Sequence, residues 1–142
     1  METVKNSIKK HEGFRNKVYK DTLGKRTIGY GHLCVEDWWE DDKEYTQAEL
    51  ERIFDKDFDK AKDGASKLYE GCEINDTAKG VIIEMVFQLG TTGVSKFKNM
   101  WKALKETPPN YSVAKIEMLD SRWAKQTPNR AKELSNIIGG IA

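Results

Sequence analysis

The sequence predicts an α+β, mostly helical fold, with a small β-hairpin lobe, a long linking helix and a compact helical lobe. Three observations carry this. A glycine-punctuated pair of short strand-like runs spans Lys17 to Gly31. A capped amphipathic helix opens at Thr46. From Asn75 onward the apolar residues recur at helical spacing. The 142 residues suit one domain. Its expected parts are a hairpin lobe over 13–45, a linking helix over 46–65, and a helical lobe made of 1–12 with 66–142. A cleft between two such lobes is the natural place for a ligand.

Each element has a local cause. Glu2 to His11 forms a short helix, with Val4 and Ile8 four apart on one face. Glu12 continues that spacing and Gly13 stops the helix. Lys17–Asp21 and Arg26–Gly31 are the two strands, joined by a turn over Thr22–Lys25. Thr27, Gly29 and Gly31 share one strand face by alternation. The acidic stretch Glu36–Glu44 is expected to be irregular, solvated surface. It carries Trp38 and Trp39, either of which could stack on a sugar ring, with core packing expected for at least one.

Thr46-Gln-Ala-Glu49 is a capping box, and Leu50, Ile53, Phe54, Phe58 and Ala61 form the stripe of the linking helix to about Gly64. Asn75–Leu89 is apolar all round and should be central, with Gly90 ending it. Val94 to Leu104 marks another helix, broken by Thr107-Pro-Pro-Asn110. Val113–Trp123 reads as one further helix with Ile116 and Leu119 inward. Thr127-Pro128 opens the last helix as N-cap and first-turn proline.

Composition excludes several classes. A net charge of +1 gives no global pull toward nucleic acid or an anionic surface. A basic cluster at Arg122–Lys132 is read as solvated surface, and no nucleic-acid motif accompanies it. The cysteines, Cys34 and Cys72, and the histidines, His11 and His32, do not follow a zinc pattern, so no metal is expected and the thiols should be free. METVKNSIKK lacks the apolar core of a signal peptide, and no run approaches the roughly 18 residues of a membrane span. The expectation is a soluble, cytoplasmically made monomer with no stable membrane insertion.

The segment HEGFRNKVYKDTLGKRTIGYGHL places Glu12 at a helix end on an apolar face and Asp21 in a wetter turn. Burial favours the protonated form that a general acid needs, whereas the wetter carboxylate stays ionised. Two carboxylates in unlike environments can divide the acid and base work of glycoside hydrolysis. Thr27 adds a hydroxyl that can hold a water. Taken alone, the pair reads more readily as an ordinary helix end and turn.

The spacing Glu12, Asp21, Thr27, together with HEGFRNKVYKD, TIGYGHL, MVFQLGTTGV and SRWAKQTPNRAK, closely resembles the T-even branch of the phage-type lysozymes. The resemblance runs in order over most of the chain. It implies a lysozyme-like fold and a muramidase that cleaves the β-1,4 bond between N-acetylmuramic acid and N-acetylglucosamine in bacterial peptidoglycan. By position, Glu12 would protonate the glycosidic oxygen, and Asp21 and Thr27 would hold and activate the water. The T-even type inverts, which calls for roughly 6.5–9.5 Å between carboxylates. No cofactor is implied.

Further positions follow from the same resemblance. Gly31, Leu33 and Phe87 match cleft residues, and Met100 and Glu117 stand where the family has sugar-contacting Ser and Asn. Arg130 matches an Arg beside the catalytic Glu, whose charge would oppose protonation of Glu12. His32 and Asp57 match an ion pair tying the hairpin to the linking helix. Gln88, Arg122 and Trp123 match cleft-side or packing residues.

The chain also departs from that pattern. The segment from Leu33 to Thr46 and the C-terminus are shorter, and the net charge is lower. A phage enzyme of this kind would rely on a separate membrane-perforating, holin-like protein to reach the wall. The rival from another class is a non-catalytic saccharide-binding module on the same scaffold.

Overall fold

The computed structural model describes all 142 residues. In order the elements are α1 (Glu2–Glu12), β1 (Arg15–Lys20), β2 (Arg26–Gly29), β3 (His32–Leu33), α2 (Gln47–Leu68), α3 (Asp76–Ser95), α4 (Lys98–Leu104), α5 (Tyr111–Leu119), α6 (Arg122–Gln126) and α7 (Pro128–Gly139). This is the expected helix-dominated α+β fold with one small antiparallel sheet. The chain divides into two compact units, Glu2–Lys60 and Ala61–Ala142, so the division falls within α2 and α1 is grouped with the sheet. No helix is long and apolar enough to cross a membrane.

In the N-terminal unit the sheet has three strands in the order β1-β2-β3. Tyr19 pairs with Thr27, and Thr27 with Leu33. The expected strand Arg26–Gly31 stops at Gly29, because Gly29 (φ 63°) and Gly31 (φ 75°) adopt left-handed conformations that break the pleat. The chain turns there and returns as β3, so Gly31 is a turn residue and does not share a strand face with Thr27.

Ile28, Trp39, Tyr45 and Leu50 form one core cluster of this unit, with Val18, Cys34 and Ile53 packed against it. The acidic segment is thus partly folded inward. Trp39 is buried and Trp38 is 59% exposed. The capping box forms, with Glu49 N donating to Thr46 Oγ1 (3.1 Å) and Thr46 N to Glu49 Oε1 (3.2 Å).

In the C-terminal unit α3 is the centre, with Val81 through Val86 all buried. Asn75 caps it by accepting from Ala78 N. Gly90 does not end the helix. It kinks it (φ 81°, ψ 161°), and helical turns resume to Ser95. The expected helix Val113–Trp123 is two helices. Ser121 caps α6 by accepting from Ala124 N, which a continuous helix would forbid.

The inward face of α5 also differs from expectation. Ile116 is 61% and Leu119 41% exposed, while Ala114 and Met118 are fully buried. Helix α5 contacts both α4 and α7, and its small Ala114 permits close approach. Gly139 of α7 lies against the Lys115 stem, where a Cβ would clash. Two apolar faces compete on α5, and the one carrying Ala114 and Met118 is buried. Thr127 precedes Pro128 as expected but does not cap through its side chain. Its hydroxyl donates to Trp123 O instead (3.1 Å). Cys34 and Cys72 are both free thiols, half-buried, and burial raises the pKa of each.

Candidate active site

Glu12 is the last residue of α1. The last turn closes with Gly13 N–H donating to Lys9 O at 3.0 Å, and the positive φ of Gly13 (73°) then turns the chain out of the helix. One turn earlier, Ile8 is fully buried. Lys9 fixes the helix to α2, since its ammonium meets Glu51 at 3.0 Å and lies over the Tyr30 and Phe54 rings at 5.2 and 4.9 Å. Tyr30 donates to the same Glu51 (3.1 Å). Burial works against the Lys9 charge, but Glu51 outweighs it and the pKa is raised. The ammonium therefore stays charged and the tie persists.

The Glu12 carboxylate is set against Gly31. A Cβ at position 31 would lie 2.5 Å from Glu12 Oε1. The backbone conformation favours glycine here, and the missing side chain leaves the space that the Glu12 carboxylate occupies.

Asp21 follows β1 and closes the hairpin. Its Oδ1 accepts from Leu23 N and Lys25 N, each at 2.9 Å, in an Asx-type turn. Both hydrogen bonds fall on one oxygen, which leaves Oδ2 as the available acceptor. Thr27 is 3% exposed, and its hydroxyl donates to Lys25 O at 3.0 Å. With the proton directed to that carbonyl, the oxygen retains acceptor capacity. Lys25 thus links both residues, giving its N–H to Asp21 and its carbonyl to Thr27. Next to Thr27 on β3, Leu33 is 42% exposed.

His32 braces the other end of the sheet. Its Nδ1 lies 2.7 Å from Asp57 on α2 and its Nε2 3.0 Å from Glu36. Glu36 also accepts from Trp39 Nε1 at 2.6 Å. Burial opposes the imidazolium charge, but the bonds to Asp57 and Glu36 outweigh it and raise the His32 pKa. Glu36 moves oppositely. Burial acts to raise its pKa, while the Trp39 and His32 bonds lower it further. Glu36 is therefore a structural tie and not the solvated charge expected from composition.

The remaining candidates lie in the C-terminal unit. Met100, Glu117 and Arg122 line one pocket of about 600 Å³, with Phe97, Asp120 and Trp123. Met100 is buried and Glu117 half-buried. Gln88 accepts from Trp123 Nε1 (2.9 Å) and donates to Thr127 (3.3 Å). Phe87 is half-buried. Arg130 is buried and pairs through Nε with Glu84 at 2.9 Å.

Glu84 escaped the sequence reading, although a signal was present. A lone carboxylate inside an apolar run such as Val81–Leu89 needs a buried cation. No group of three or more His, Cys, Asp or Glu side chains is arranged to hold a metal ion.

The family model described as phage lysozyme matches residues 9–136. The chain belongs to the phage lysozyme family. A member of this lysozyme family from Dictyostelium discoideum, "Probable T4-type lysozyme 1", is 30% identical over 162 aligned positions, covering 96% of this chain and 93% of that protein. "Probable T4-type lysozyme 2" from the same organism is 29% identical over 161 positions, with coverages of 95% and 92%. The pre-baseplate central spike protein Gp5 of Enterobacteria phage T4 is 30% identical over 92% of this chain but only 26% of its own length. Family membership makes the chain a lysozyme-type hydrolase.

Proposed function

We propose that the chain is a peptidoglycan muramidase that cleaves the β-1,4 bond from N-acetylmuramic acid to N-acetylglucosamine with inversion. Glu12 gives its proton to the glycosidic oxygen as the bond to the anomeric carbon breaks. A water held by Thr27 attacks that carbon from the opposite face, and its proton passes to Asp21. The glycan fragment leaves with a new reducing end, after which Asp21 releases its proton to solvent and Glu12 takes one up.

The observation that carries this reading is the Lys25 linkage. One residue orients Asp21 through its N–H and Thr27 through its carbonyl. Base and water-holder are therefore pre-set before substrate arrives, which lowers the reorganisation needed in the transition state. The placement of the Glu12 carboxylate over a glycine supports its role as the acid.

The anomer of the first product tests the stereochemistry. Proton NMR of early digests of purified peptidoglycan should record the α-anomer before mutarotation. A β-anomer would mean retention and would remove Asp21 as an activator of water. If the protein releases no reducing ends but pellets with cell walls, a saccharide-binding module replaces the hydrolase.

A further inference from the structure

Trp38 is 59% exposed, whereas Trp39, Trp101 and Trp123 are at most 6% exposed. It is nevertheless not on a loose loop. Its neighbour Trp39 is held by Glu36 through Nε1 (2.6 Å) and by Arg26 through its carbonyl (3.0 Å). Arg26 also pairs with Asp41 (3.0 Å), and Glu40 N donates to Tyr45 Oη (2.8 Å). The Trp38 ring sits 6.1 Å from that of Trp39. An indole face is thus presented to solvent by a segment held through the Glu36 side chain before Trp38 and through the Trp39 carbonyl and Glu40 N–H after it. Such pre-organisation lowers the entropy cost of binding.

Beside Trp38 runs a groove of about 430 Å³ whose far wall is the start of α2, within the roughly 300–1,000 Å³ usual for small-molecule sites. Its charges are unevenly engaged. Glu49 is occupied by the Thr46 capping box, and Lys43 by Glu40 (3.6 Å) and the Tyr45 ring. Arg52 and Lys56, four residues apart on α2, line the groove with no ion-pair partner. The groove therefore offers one aromatic face and two cations outside any ion pair, of which Arg52 also lies in the field of Glu49.

We infer that this groove is a second saccharide site, formed by the 34–46 segment and α2, which takes an amino sugar bearing a carboxylate. The sugar ring stacks on Trp38 and its carboxylate meets Arg52 and Lys56. The identification of the sugar as a muramyl residue rests on the peptidoglycan reading above. The site is built from other residues than Glu12, Asp21 and Thr27. It retains a glycan strand on the enzyme and acts on KM for polymer, not on the chemical step.

Acrylamide quenching of intrinsic fluorescence reads the site directly, since Trp38 is the one solvent-exposed indole. The muramyl disaccharide GlcNAc–MurNAc should protect it, and chitobiose should do so about tenfold more weakly. The Arg52→Ala/Lys56→Ala double variant should lose the preference for the muramyl sugar. Trp38→Ala should abolish the quenched component, raise KM on insoluble walls, and leave kcat on short fragments unchanged.

Equal protection by chitobiose, protection by acetate alone, or no protection by any sugar would overturn the proposal. So would an unchanged KM in Trp38→Ala. A wild-type chain that shows muramyl protection but releases no reducing ends would sink the hydrolase reading and leave this site standing.

Discussion

Gly31 gives its side-chain space to the Glu12 carboxylate, with only 2.5 Å between Glu12 Oε1 and the position of a Cβ at residue 31. The left-handed backbone there (φ 75°) adds strain to any replacement. Gly31→Ala should cost about 1–3 kcal/mol of stability and displace the carboxylate. Urea unfolding checks the first effect. A fall in kcat larger than the change in KM checks the second.

The His32 network sets a pH window. The His32 pKa is raised in the folded state, so its contribution is complete below the ordinary value near 6.5 and is lost as pH rises through the folded value. The Glu36 pKa is lowered, so its contribution is present above 4.5 and is lost as pH falls through the folded value. The stability difference between wild type and His32→Gln should peak at mildly acidic pH and shrink toward alkaline pH. Melting temperatures of both proteins across that range measure it. A difference that grows with pH would contradict the assignment.

Trp38 and Trp39 are adjacent and should behave oppositely on truncation. Trp39 is a core residue with two polar ties and the edge-on Tyr45 ring around it. Trp39→Ala should cost about 3–5 kcal/mol, and Trp38→Ala less than about 0.5 kcal/mol. Urea midpoints of the two variants decide this, provided the slopes agree.

Such a contrast marks the limit of what the sequence conveys. A pair of tryptophans in an acidic run says that one packs inward, but not which. That depends on Glu36, whose role arises from a fold-dependent bond to His32. The capping box at Thr46 and the apolar surround of α3 were legible because each is a local pattern with one physical reading.

Other features escaped a local reading. Strand β3 has two residues, too few for any alternation to appear. The exposed Ile116 and Leu119 show that spacing alone cannot rank two apolar faces, since the neighbouring helices decide which face is covered. At the candidate site, Asp21 and Thr27 were readable as residue types. Their coupling through Lys25 was not, because it depends on turn geometry.

The Glu84–Arg130 pair is nearly fully buried, with side-chain exposures of 2% and 9%. Removing one partner leaves the other charge in a poorly solvating interior. Glu84→Ala should cost about 3–5 kcal/mol, read as a shift in urea midpoint. A cost below about 1 kcal/mol would show that the pair is solvated in solution.

The most direct measurement compares wild type and Glu12→Gln in the release of reducing ends from purified peptidoglycan, with circular dichroism showing both folded. The amide keeps the shape beside Gly31 but has no proton to give. Loss of activity by about 10²-fold or more in a folded Glu12→Gln protein is the predicted result. A rate equal to wild type would contradict Glu12 as the acid and, with it, the proposed mechanism.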